Sequence, residues 1–180
     1  LPRSIPKLKG YEFGARMIPA KSIGGDFFDF IPLEEDALGI AVGDVADKGI
    51  PAALFMAMVR SLLRAEVHPG RTPKKVLQSV SRHLMDMNDK EMFVTILFGI
   101  LNGAARRFDY ARAGHEAPVF FDWQGAFRRF PKTNGQALGL FAEVALDEQT
   151  VALPQGSMLL IYTDGIPAAT QLAFIRAGPA

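Results

Sequence analysis

Apolar and polar positions alternate along residues 26–32 and 38–44, and the acidic run Glu34-Glu35-Asp36 separates the two stretches. Period-two alternation marks strands with one buried face, so these stretches predict an antiparallel hairpin turning on residue 35. A weaker alternation over 11–18 predicts a strand before it. Pro51 suits the first turn of a helix. Ala52 to Val67 is rich in helix formers and apolar nearly all round (Leu54, Phe55, Met56, Met58, Val59, Leu62, Leu63), with Arg60, Arg64 and Glu66 its only charges. Such a helix is either buried in a core or offers a methionine-rich surface to a partner, and the sequence leaves both open. His68-Pro69-Gly70 ends it. Thr72-Pro73 then supplies an N-cap and a proline start for a second helix, whose stripe Val76, Leu77, Val80, Leu84 and Met87 is amphipathic. Beyond it the pattern returns to strands at 92–101, 106–112, 117–122, 126–130, 146–153 and 157–163, with turns at Gly125 and Pro154-Gln155-Gly156. Strands and helices are segregated, which predicts an α+β fold with antiparallel sheets rather than a parallel βαβ fold.

Three aspartates end these apolar patterns: Asp26 in Gly24-Gly25-Asp26-Phe27-Phe28-Asp29, Asp44 in Ala41-Val42-Gly43-Asp44, and Asp164 in Ile161-Tyr162-Thr163-Asp164-Gly165. A hairpin centred on residue 35 places position 26 opposite position 44. Directly opposed residues have Cβ atoms roughly 5 Å apart, where like charges repel. No lysine or arginine recurs beside all three, so a cation from solution is the simplest way to keep these carboxylates ionised next to apolar residues. Period-two alternation puts Leu38, Ile40, Val42 and Asp44 on one face, and Met158, Leu160, Tyr162 and Asp164 repeat that pattern. The plainer alternative is that each aspartate begins a turn.

Composition narrows the chemistry. The chain has 180 residues, 49% of them hydrophobic, which suits one domain with a sizeable core. A net charge of +1 with the signs interspersed gives no footprint for nucleic acid or for an anionic membrane. Without cysteine there is no disulfide, thiolate metal site or cysteine nucleophile, as suits a reducing, cytoplasmic compartment. The apolar run Met92 to Leu101 is too short to span a bilayer. The opening Leu1-Pro2-Arg3-Ser4 is no leader and reads as the start of a piece of a longer polypeptide. His68, His83 and His115 have no companions at ligand spacing, so imidazole-bound zinc is not expected. Oxygen ligands point to Mg²⁺ or Mn²⁺, and pairs of such ions recur in phosphoryl hydrolysis.

The runs Gly24-Gly25-Asp26-Phe27-Phe28-Asp29, Gly43-Asp44-Val45-Ala46-Asp47-Lys48-Gly49-Ile50-Pro51-Ala52-Ala53-Leu54, Ala113-Gly114-His115, Leu138-Gly139-Leu140 and Tyr162-Thr163-Asp164-Gly165 resemble the SpoIIE-like, RsbU-type branch of the PPM metal-dependent serine/threonine phosphatases. The resemblance runs in order and spacing from residue 1 to about 166. Residues 1–10 resemble the end of a linker from an upstream sensor or receiver, and residues 11–180 the phosphatase domain. The resemblance implies a four-layer αββα sandwich of two mainly antiparallel sheets flanked by helices, around a binuclear Mn²⁺/Mg²⁺ centre. It implies hydrolysis of phosphoserine or phosphothreonine by metal-bound water, on a small regulatory protein of the anti-sigma-factor antagonist type. Asp44 matches the bridging ligand, Val45 a carbonyl ligand, Asp26 the residue holding metal-bound water or the metal, and Asp164 the ligand of the second ion. Lys48 to Leu63, including Gly49 and Met56, match a helix that regulatory partners reposition. His115 reads either as a satisfied structural residue or as a proton donor to the leaving serine oxygen. Lys21 reads either as a phosphate contact or as a solvated lysine. Asp29 should face away from position 26, and Asp47 should lie in the loop near the site or enter the helix.

After Asp164 the chain has no acidic residue, whereas the family continues with a Glu-containing segment, a helix and an Asp-Asp-x-Thr strand. The sequence therefore predicts that the usual C-terminal strand is missing, that the second metal position is incomplete, and that a sheet edge is left open to pair with a second copy. It also leaves a non-catalytic adaptor that binds a signalling partner as the alternative to an enzyme.

Overall fold

Residues Leu38 to Val45 are apolar at almost every position because both faces of their strand are covered. In the computed structural model, which describes residues 2, 4–17, 24–34, 36–87, 92–130, 135–163 and 171–178, this strand lies inside a sheet packed on both sides. In chain order the elements are β1 (Tyr11–Met17), β2 (Phe27–Pro32), β3 (Ala37–Val45), α1 (Ile50–Glu66), α2 (Pro73–Met87), β4 (Val94–Asn102), β5 (Arg107–Ala113), β6 (Val119–Phe121), β7 (Phe127–Arg129), β8 (Asp147–Ala152), β9 (Met158–Tyr162) and β10 (Gln171–Ala177). They form two five-stranded sheets, β2-β3-β4-β5-β8 and β1-β10-β9-β6-β7, with every ladder antiparallel. The α+β class and the pair of antiparallel sheets are as expected.

Period-two alternation divides the side chains of the first sheet. Phe27, Ile31, Ala41, Val45, Val94, Ile96 and Phe98 pack against Phe55, Val59 and Leu63 of α1 and Val76, Leu77, Val80 and Leu84 of α2. Phe30, Leu38, Ile40, Val42, Leu97, Leu101, Phe108 and Tyr110 point the other way, onto Phe120, Leu159, Ile161, Ala173 and Ile175 of the second sheet. The stripe read for α2 is the buried one, and Thr72 caps that helix with its Oγ1 accepting from the Lys75 amide at 3.3 Å. For α1 both readings of the sequence apply. It buries Ala52, Phe55, Val59 and Leu63, yet Ile50 and Leu54 stand exposed.

Three expectations change. The second sheet does not lack its closing strand, because β10 lies between β1 and β9, with Phe13↔Ile175 and Ile175↔Leu159 in register. It carries no carboxylate and closes the sheet by burying Ala173, Ile175 and Ala177. Both helices flank the same sheet, so among the described residues the sandwich has three layers and no helix covers the second sheet. Finally, the core-facing set of β9 is Leu159 and Ile161, while Met158, Leu160 and Tyr162 are half-buried on the outer face.

Candidate metal centre

The hairpin register that brings the carboxylates together is set by its apolar faces. Phe27 pairs with Gly43, Phe28 with Val42, and so on to Pro32 with Leu38. Two steps beyond the Phe27–Gly43 pair, the Val45 amide donates to the Gly25 carbonyl at 3.4 Å. Positions 26 and 44 are bracketed between these links and therefore oppose each other, as the turn at residue 35 predicts. On its other side Asp44 pairs with Thr95 of β4. Asp26 and Asp44 are both half-buried at the same end of the sandwich. Gly25 matters here because a Cβ on it would stand 2.7 Å from the Val45 carbonyl oxygen. The donors fit a hard divalent cation: two opposed carboxylates, with a main-chain carbonyl beside them that a side chain at position 25 would crowd. Among the described residues no group of three or more acidic or histidine side chains forms. Asp164, the expected ligand of the second ion, and Lys21, the expected phosphate contact, lie outside the described residues.

A cavity of about 220 Å³ opens beside Asp44, lined by Ala46, Phe93, Thr95, Gly114, His115 and Glu116. A larger one of about 470 Å³ lies at the other end of β3 and β4, between the α1–α2 turn and the strand ends. It contains neither Asp26 nor Asp44, so its size carries no argument for this chemistry.

His115 is 4% exposed, and its Nδ1 lies 3.1 Å from the Thr95 hydroxyl. Burial lowers its pKa to about 4 against the partial opposition of Glu116, so the ring is neutral at pH 7. Its Nε2 is buried and closes no hydrogen bond of ordinary geometry among the described residues. The main chain here is held by a buried ion pair that spacing did not reveal. Arg112 donates to the His115 carbonyl at 2.5 Å and to Asp147 Oδ2 at 2.8 and 3.1 Å.

Asp29 does face away from position 26, and it is no metal ligand. It is 0% exposed and receives Arg64 through Nε and Nη2, each at 2.7 Å, and Arg60 at 3.2 and 3.1 Å. The loop from Asp44 to α1 is tight: Asp47 and Gly49 have φ of 91° and 83°, and Asp47 Oδ1 accepts from the Lys48 amide at 2.7 Å. Lys48 is exposed, Gly49 takes the N-cap position without a side-chain cap, and Met56 is half-buried against the helix-side core. Sequence reasoning passed over Thr95 as a site residue, although it was visible as the polar break in the apolar run 92–101.

The chain belongs to the Stage II sporulation protein E (SpoIIE) family, whose pattern matches residues 34–174. It is 33% identical to Protein IcfG of Synechocystis over 92% of this chain and 30% of that protein. It is 29% identical to phosphoserine phosphatase RsbU of Bacillus subtilis over 90% of this chain and 48% of that protein. The chain thus spans less than half the length of these curated relatives. Its fold matches the RsbU and RsbW domains of a Mycobacterium tuberculosis protein with a TM-score of 0.83 at 23% identity, over 97% of this chain and 62% of that one. It matches the PP2C phosphatase domain of SpoIIE from Bacillus subtilis with a TM-score of 0.79 at 13% identity, over 93% and 62% respectively.

Proposed function

We propose that residues 11–180 form the catalytic domain of a metal-dependent protein serine/threonine phosphatase, and that residues 1–10 join it to an upstream sensor. The observation that carries this reading is the opposition of Asp26 and Asp44 at the sandwich end beside the Val45 carbonyl, which Gly25 leaves uncrowded. Asp44 would bridge two Mn²⁺ or Mg²⁺ ions, Val45 would add its carbonyl, Asp26 would hold the first ion or its water, and Asp164 would complete the second position. Bound there, the ions would supply Lewis acidity toward phosphate oxygens and lower the pKa of water. The protein's own part is to hold two carboxylates opposed across the hairpin and to keep position 25 free of a side chain that would crowd the Val45 carbonyl. The burial of His115 and its neutral state favour a supporting role, bracing Thr95 beside Asp44, over proton donation to the leaving oxygen. Lys21, five residues before Asp26, is assigned to the substrate phosphate.

The substrate class is a phosphorylated regulatory protein of the anti-sigma-factor antagonist type, met in the cytoplasm. This rests on the likeness to RsbU, a phosphoserine phosphatase. The helix from Lys48 through Gly49 and Met56 is assigned to regulation, since its exposed Ile50 and Leu54 offer an apolar contact to the upstream region or to a second copy. The alternative is an inactive adaptor that keeps the fold to bind a signalling partner.

Hydrolysis of a phosphoserine peptide with and without Mn²⁺, beside Asp44→Asn, separates these readings. Mn²⁺-dependent turnover that the substitution abolishes is the expected result. Mn²⁺ binding without turnover points to an incomplete second position, and neither binding nor turnover leaves the adaptor.

A further inference from the structure

We infer that Asp29, Arg60 and Arg64 form a positioning latch for the carboxylate pair. The inference rests on the phosphatase reading for its catalytic meaning, though its geometry stands alone. Asp29 lies on β2, three residues after Asp26, with its side chain on the helix side of the sheet and fully buried. Arg60 and Arg64 lie one turn apart on α1, so both reach the same oxygen, Oδ2. Arg64 grips the carboxylate with both arms of its fork, the geometry in which guanidinium recognition is most directional, and also reaches the Phe30 carbonyl at 3.2 Å. The Phe30 amide donates to Asp29 Oδ1 at 3.0 Å, so the carboxylate is held from both its strand and the helix.

The connectivity gives this clamp its consequence. Asp26 lies just before β2, and Asp44 is the last residue but one of β3, five residues before the Gly49 that caps α1. The clamp ties α1 back to β2, closing a ring that runs β2, hairpin, β3, loop, α1 and Asp29. Asp44 sits on that ring, and Asp26 lies just outside it, three residues before the Asp29 at which it closes. Elsewhere α1 is held by apolar packing and, at its last residue, by the ion pairs of Glu66 with Arg71 and His83, whereas the bidentate pair with Asp29 fixes its position and rotation against β2. The pair therefore sets where the β3–α1 loop leaves Asp44 and how closely β2 holds Asp26 to it.

Arg64→Gln is the test, because Arg64 is 47% exposed and its loss leaves Arg60 to neutralise Asp29, so the fold persists. The first readout, in the absence of metal, is amide exchange at Val45, whose N–H donates to Gly25, against Leu153, whose N–H donates to Arg106. Val45 exchange is expected to rise about tenfold while Leu153 stays unchanged. The second is titration with Mn²⁺ alone, where the dissociation constant is expected to rise about tenfold. Arg64→Lys, which keeps the charge and loses the fork, should restore little of either. Equal acceleration at both amides, or a lowered Tm with Val45 exchange and Mn²⁺ affinity at wild-type values, would overturn the latch. If the wild-type chain binds no Mn²⁺, the phosphatase reading falls, and the latch is then decided by the Val45 and Leu153 amides.

Discussion

Asp26 and Asp29 are three residues apart and meet opposite fates. Asp29 is fully buried and saturated by two arginines of α1. Asp26 is half-buried and faces a second carboxylate, Asp44, across the hairpin. An odd spacing on a strand sends the two side chains to opposite faces. On the helix side, α1 had room to bring cations to the sheet. On the inter-sheet side, the opposing neighbour of position 26 is another acid, and the next strand offers Thr95. One carboxylate therefore ties the helix to the sheet, and the other two face each other across the hairpin end.

The contrast breaks most visibly when the cations of Asp29 are removed. Arg60→Gln combined with Arg64→Gln leaves a buried, uncompensated carboxylate. Urea denaturation should show a loss on the order of 3 kcal/mol, toward the low end for such a site because Arg64 is half in water. A smaller effect concerns the imidazole beside the pair. In the folded chain His115 is held near pKa 4, below its ordinary 6.5, so between these values the unfolded chain binds more protons. Stability of the metal-free protein should fall as pH drops through that window. His115→Gln should flatten the difference between melting curves at pH 7 and pH 5. The smallest shift sharpens the comparison from the other side. Asp44→Asn relieves a like-charge contact, so it should leave stability unchanged or raise it by less than about 1 kcal/mol, while Mn²⁺ binding is lost. Destabilisation by Asp44→Asn comparable to that of the double arginine variant would show that both acids serve the fold alike.

The hairpin and its opposed aspartates were legible because local signals agree: apolar alternation on both arms and an acidic turn at the midpoint. The latch was not, although Arg60 and Arg64 stood out as charges on an apolar helix. Their partner lies 31 and 35 residues away, and nothing in local spacing names it. For β9 the pattern could not choose a face, since Met158, Leu160 and Tyr162 are as apolar as Leu159 and Ile161. Neighbouring strands decided it. The strand β10 is not legible locally because it buries small residues, Ala173 and Ala177, around Ile175 and carries no acidic residue. Its partner β1 lies at the other end of the chain.

That last pairing has a mechanical side. β1 and β10 run antiparallel with Tyr11 beside Ala177, and the Gly178 amide donates to the Gly10 carbonyl at 2.7 Å. Tension drawn between residues 10 and 178 would load this ladder from its end, one bond at a time, as a zipper is opened rather than as two strands are sheared. The first rung to part would be Gly10–Gly178. The pull would then peel β1 from the edge of the second sheet before any force reached the hairpin that carries Asp26 and Asp44.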